Sequence, residues 1–105
     1  MSVDMLKQEF VPKYLADGEQ KFYRFLLVYA LNKLIAIDRG VYKGEAPNLE
    51  FLGYHDRFII LYRREGEEVY LQVARLFRKA GHRIYRIMLK KGMTQQNDKF
   101  LNVVK

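Results

Sequence analysis

One stretch decides the fold: residues 67–91 read EEVYLQVARLFRKAGHRIYRIMLKK. At about 100° per residue, its apolar side chains share one arc that stays in phase through about seven turns. Glutamates open the stretch, and Lys90, Lys91 and Gly92 close it, as a helix dipole and a glycine cap favour. The sequence therefore predicts one long helix over residues 67–91. Its apolar arc consists of Val69, Tyr70, Val73, Leu76, Phe77, Ala80, Ile84, Ile87 and Met88.

The side of this helix opposite the apolar arc carries a stripe of cations. From Arg75 to Lys90 the stripe is about 22 Å long, at 1.5 Å per residue. The chain has seven Lys or Arg residues and no acid between Val69 and Lys91. Such a surface attracts polyanions, because neutralised phosphates release counterions and arginine binds an oxyanion with two hydrogen bonds. We call it the basic face, and it consists of Arg75, Arg78, Lys79, His82, Arg83, Arg86 and Lys90.

Residues 49–64 are ambiguous between helix and strand. The run Phe58-Ile59-Ile60-Leu61-Tyr62 has a strong β preference. From Phe51 onward, however, every apolar residue except Ile60 falls on one side of a helix. We therefore expect a helix. The alternative is a hairpin over about residues 57–73, followed by a shorter helix, which would make the fold α+β.

Two more helices are predicted nearer the N-terminus. Ser2 caps a short first helix that Pro12 ends. A capping pair that begins at Asp17 opens a second helix, which runs to about Asp38. The middle of this second helix, residues 25–31, is apolar on every face, which is typical of a central helix surrounded by others.

The whole chain is predicted to be all-α, a bundle of three long helices plus a short N-terminal helix. Its 105 residues, half of them hydrophobic, suit a single core, so we expect one domain over residues 1–105. No repeat or low-complexity linker divides it. Residues 93–105 form a C-terminal tail that we expect to pack on this core.

The side-chain chemistry argues against an enzyme. The chain has no cysteine, and Ser2 and Thr94 are its only serine and threonine. These counts exclude disulfide scaffolds, cysteine-based metal sites and thiol catalysis, and they leave almost no residue for a serine triad or a P-loop. The two histidines, His55 and His82, lack a second ligand at metal spacing, and His55 is interpreted as a partly buried structural residue. We predict a non-catalytic protein with no cofactor and no metal.

The net charge of +7 is concentrated in one segment. Residues 1–56 have seven Lys or Arg against eight Asp or Glu, whereas residues 57–91 have ten against three. The basic face then has three interpretations: an external anionic partner, internal pairing with the acidic half together with solvation, or a contact with another subunit. The first is favoured, because a merely solvated face would mix both signs.

Nucleic acid is the predicted partner, bound chiefly through its phosphates by the basic face. Tyr85, beside Arg86, is the ring that can stack on an unpaired base. The alternative function is an adaptor, or a subunit of a larger assembly, that docks an acidic protein or joins a second copy through its apolar surface.

The tripeptide Leu61-Tyr62-Arg63, with Phe77 downstream, resembles the Leu-Tyr-Arg proteins of mitochondria. That resemblance implies a small helical adaptor that binds acyl carrier protein, which is another form of the acidic-partner hypothesis. In that family the tripeptide opens the first helix, whereas here sixty residues precede it.

The sequence contains no pattern typical of a secretion or transit signal. Its longest apolar stretch, residues 22–37, is too short and too polar to span a bilayer. We therefore expect an intracellular protein, in the cytoplasm or in the nucleus or nucleoid, without membrane insertion.

Overall fold

Three α-helices account for most of the residues that the computed structural model describes, which are residues 2–93. α1 spans Val3–Asp38, α2 spans Pro47–Glu65 and α3 spans Glu68–Lys90. This range contains no strand, so the predicted all-α bundle is confirmed and the alternative hairpin over residues 57–73 is wrong. The predicted tail lies outside the described residues beyond its first member, Met93, which is buried.

α2 and α3 form an antiparallel pair with the most extensive packing in the bundle. Gly66 ends α2 in a left-handed conformation, and α3 begins two residues later. The run over residues 58–62 is helical despite its β preference, because burial follows the helical period: Phe58 and Leu61 are fully buried, whereas Ile60 is exposed. The packing of one face has therefore overridden local propensity.

Gly81 lies where α2 packs against α3. A Cβ atom there would stand 3.4 Å from Phe51 Cβ and 3.5 Å from the Asn48 main-chain oxygen. A second helix therefore packs closely against α3 at this glycine. Asn48 is also buried, and its side-chain amide has no hydrogen-bond partner within residues 2–93, an arrangement that costs stability.

α1 bends sharply at Gly18, whose φ of 83° and ψ of 174° are not helical. Lys13 Nζ lies 4.4 Å from the centroid of the Phe25 ring. Twelve residues of straight helix would separate these positions by about 18 Å, so the two halves of α1 fold toward each other. The first half corresponds to the predicted short N-terminal helix, capped by Ser2, whose Oγ accepts a hydrogen bond from the Met5 N–H at 3.2 Å.

The predicted end of that first helix at Pro12 is wrong. The helix continues through Pro12 to the bend at Gly18. Pro12 and Gln8, whose carbonyl loses its helical partner to the proline, are both exposed, so water can satisfy that carbonyl. Asp17, predicted to begin a capping pair, instead forms an ion pair at 3.0 Å with Lys13 one turn earlier.

The centre of the core is an aromatic cluster around Phe77 of α3. Its ring lies 5.0–6.0 Å, between ring centroids, from five aromatic rings. Two of them come from α1 and three from α2, so one side chain joins all three helices. The five are Phe10, Phe22, Phe51, Tyr54 and Phe58.

α1 is not the central helix that its apolar composition predicted. It packs along one side of the α2–α3 pair and buries Phe22, Leu26, Ala30 and Leu34. Its opposite side leaves large apolar side chains in solvent. Residues 25–31 are apolar on every side, but only one side of α1 is covered within residues 2–93.

Candidate functional site

The basic face is held on the side of α3 that points away from the core. Phe77, Ala80 and Ile84 are fully buried, and this anchors the rotation of the helix about its axis. The opposite side must therefore face solvent. Its six Lys and Arg residues are all exposed, and His82 is half-buried: the exposed members are Arg75, Arg78, Lys79, Arg83, Arg86 and Lys90.

These six cations are not neutralised by the acidic half of the chain. Within residues 2–93, none of them has an acidic oxygen within 4.0 Å. Three acids of that half pair with other cations instead: Asp4 with Arg64, Asp17 with Lys13 and Glu50 with Lys33. Within residues 2–93, the internal pairing in the second interpretation of the basic face is thus not supported by any direct ion pair.

One cation of the face is ordered by an aromatic ring. Lys79 Nζ lies 4.7 Å from the centroid of the Tyr23 ring, which belongs to α1. An ammonium group in this position is attracted by the electrons of the ring. The contact fixes the edge of the basic face that borders α1.

Three of the cations converge near the C-terminal end of α3. Arg83, Arg86 and Lys90 line a cleft of about 330 Å³, and Ile87 supplies its apolar wall. Guanidinium groups beside an ammonium favour an oxyanion, such as a phosphate or a carboxylate. The cleft therefore groups three cations of the basic face around one opening.

Tyr85, predicted to stack on a base, is half-buried and packs against the core. Tyr23 and Tyr62, the other rings beside arginines, are half-buried in the same way. Each ring thus has a structural role at the edge of the core. Base stacking by Tyr85 stays a prediction.

His55 lies at a second cleft, on α2. Its Nδ1 is 2.9 Å from Asp56 Oδ1, although adjacent helical positions point about 100° apart, because the side-chain rotamers bring the two groups together. The cleft measures about 340 Å³ and is completed by Ile59, Ile60 and Arg63. The part of its lining that the structure describes supplies no hydroxyl or thiol nucleophile. His55 is half-buried, as predicted.

Lys33 and Glu50 form an ion pair between α1 and α2 that shields both side chains from solvent. Lys33 Nζ lies 2.8 Å from Glu50 Oε2 and 4.4 Å from the centroid of the Tyr29 ring. Burial alone would lower the pKa of Lys33, but its hydrogen bonds to Glu50 and Tyr29 outweigh burial and raise that pKa. This pair joins two helices, and we interpret it as structural.

The described residues contain no group of three or more His, Cys, Asp or Glu side chains placed to hold a metal ion. None of the three helices combines the length and the apolar character that crossing a membrane requires.

Leu61-Tyr62-Arg63 lies in the last two turns of α2 and does not begin a helix, and Leu61 is fully buried.

Comparison with known proteins gives no relative: no protein-family model matches the chain, and no curated protein or solved structure shows significant similarity to it.

Proposed function

We propose that this protein is a non-catalytic nucleic-acid-binding module that uses the basic face of α3. The observation that carries the proposal is the set of six exposed cations on one helical face with no acidic partner in residues 2–93. Like charges along one helix face destabilise that helix, so an anionic ligand would relieve a cost that the folded chain otherwise bears.

Contact with phosphates suits this face better than recognition of bases. The cations extend over about 22 Å, a length that lies along several consecutive phosphates of a strand. The tyrosines beside the face are half-buried, so they offer less ring surface to unpaired bases than a stacking platform does. We therefore propose binding with little sequence specificity, in an intracellular setting such as the cytoplasm or the nucleus or nucleoid.

Fluorescence anisotropy with labelled duplex DNA, duplex RNA and single strands tests this function. For about five phosphate contacts, the logarithm of the binding constant is expected to fall with the logarithm of salt concentration with a slope of roughly −4. The double variant Arg78→Glu/Arg86→Glu should abolish binding. The double variant Arg39→Glu/Lys43→Glu is the matched control, because it makes the same change in net charge at exposed positions outside α3.

The control variant should bind almost as well as the parent chain, and circular dichroism should show both variants folded. Binding that survives the α3 charge reversal, or that falls equally in both variants, would refute the proposed function.

An adaptor for an acidic protein is the second candidate. It is favoured by the apolar side chains beside the cations: Leu89 is 45% exposed, and Ile87 forms a wall of the cleft. Arginine next to aliphatic surface is typical of protein interfaces. A chain that binds none of the nucleic acids, yet binds an acidic helical peptide in a manner sensitive to Arg83→Glu, would favour this function.

A further inference from the structure

The outer side of α1 has an apolar stripe that nothing in residues 2–93 covers. Val28 is 52% exposed, Leu31 38% and Ile35 48%. They lie in the second half of α1, on the side away from Phe22 and Leu26, which pack into the core. A single exposed leucine is ordinary on a protein surface, but three large apolar residues in line mark an interaction surface.

The residues of this stripe follow the spacing of a coiled-coil seam. Steps of three and four residues alternate along it, which keeps six side chains on one line of a helix. We call this line the α1 seam. All of its members are exposed, and they are Lys21, Arg24, Val28, Leu31, Ile35 and Asp38.

The charges at the two ends of the α1 seam are opposite. Lys21 and Arg24 precede the apolar centre, and Asp38 follows it. None of the three is in an ion pair within the described part of the chain. A parallel pair of such helices would place like charges together, whereas an antiparallel pair places Asp38 opposite residues 21–24 of the other helix.

We propose that the α1 seam is the interface of a homodimer, in which α1 pairs antiparallel with α1 of a second copy about a two-fold axis. The axis crosses the helices near Val28 and Leu31. The seam complements itself, since each copy supplies both the cationic end and the acidic end, as an isologous interface requires. In this dimer α1, whose first side packs on α2 and α3, buries its second side against the other copy.

Sedimentation velocity of the full chain, from micromolar to near-millimolar concentrations, tests this pairing. The sedimentation coefficient should rise from that of a monomer to that of a dimer. Leu31→Asp should hold the chain in the monomeric state, because it places a carboxylate at the centre of the seam. Ile60→Asp is the matched control: Ile60 is 51% exposed on α2, and its substitution should leave the dimer unchanged.

Charge exchange tests the antiparallel orientation. Asp38→Lys makes the seam wholly positive, and Lys21→Glu/Arg24→Glu makes it wholly negative, so each variant alone should be monomeric. Mixed, the two should form a heterodimer. The triple variant that carries all three changes should again form a homodimer. A parallel pair already places like charges together in the parent chain, so neither single-end reversal would be expected to abolish it.

A full chain that stays monomeric overturns the proposal, as does a dimer that Leu31→Asp leaves intact. The occupant of the seam can then be identified by maleimide labelling of Leu31→Cys, since the chain has no other cysteine. In a monomer, slow labelling would mean that another segment of the same chain covers the seam. Fast labelling would mean that the seam is uncovered and available to a different protein. Either result replaces the homodimer.

Discussion

At the scale of single residues, Phe77 has more ring–ring contacts than any other described aromatic side chain. It is fully buried and touches five rings from two other helices. Phe77→Ala should therefore lower the free energy of unfolding by about 3–5 kcal/mol. Urea denaturation measures this loss.

Phe25→Ala is a suitable comparison for Phe77, because Phe25 is only half-buried and lies at the edge of the same cluster. It should cost clearly less. Equal losses for the two variants would show that Phe77 is not the centre of the core.

Two glycines of the helices should respond in opposite ways to alanine. Gly18 has open space around its Cβ position, but its φ of 83° and ψ of 174° form a conformation nearly restricted to glycine, so Gly18→Ala should cost about 1–3 kcal/mol. Gly81 has helical geometry and room for one methyl group at 3.4 Å from Phe51 Cβ, so Gly81→Ala should stabilise by up to about 1 kcal/mol. Thermal unfolding of both variants checks the signs, and a destabilising Gly81→Ala would contradict this account.

At the scale of elements, α1 is fastened to the turn between α2 and α3 by a cluster of charges around Glu65. Its carboxylate accepts hydrogen bonds from Arg64 at 2.8 Å, Lys7 at 2.9 Å and Tyr70 at 3.1 Å. Arg64 also donates to Asp4 at 3.0 Å. The cluster therefore joins the first turns of α1 to the ends of the other two helices.

The bonds from Arg64 and Lys7 lower the pKa of Glu65 from 4.5 to about 2. Because the pKa is lower in the folded state, this carboxylate stabilises the fold at pH values above its unfolded pKa. That stabilisation should disappear as the pH falls from about 4.5 toward 2. In Glu65→Gln the melting temperature should depend less on pH across this window, and an unchanged dependence would show that other carboxylates control it.

At the scale of the whole molecule, opposite charges are used for different purposes. Asp4 and Glu50 of the first half pair with cations of other helices, whereas the surplus cations of α3 point into solvent. The surplus cations that suit a polyanion also repel one another along α3. Stability and binding should therefore respond in opposite directions when one of these charges is reversed.

Arg75→Glu makes that opposition measurable. The new carboxylate would stand one turn before Lys79 and replace repulsion with an i, i+4 attraction. The free energy of unfolding should rise by about 0.5 kcal/mol, while affinity for nucleic acid falls. Thermal unfolding and anisotropy on the same sample distinguish the outcomes: a variant that loses stability, or that binds more tightly, would contradict a functional origin of the basic face.

The sequence by itself determined which residues form α2 and α3 and which side of each is buried, because the apolar period of a helix is a local property. It also located the basic face, since a run without acids is visible without coordinates. It placed the end of the first helix at Pro12 instead of Gly18, because an exposed proline is tolerated in a helix when water can satisfy the carbonyl one turn earlier.

Only the tertiary structure decided which charges pair with each other and which apolar faces are buried. The acids of the first half and the cations of α3 are equally visible in the sequence, yet whether they meet depends on how the helices are arranged in space. α1 illustrates the same limit: residues 25–31 are apolar all round, but which side is covered depends on how α1 packs against α2 and α3. Side-chain pairing depends on residues that are far apart in the sequence. The sequence shows the charge pattern of the basic face, but only the structure shows that these cations have no ion-pair partner in the described chain.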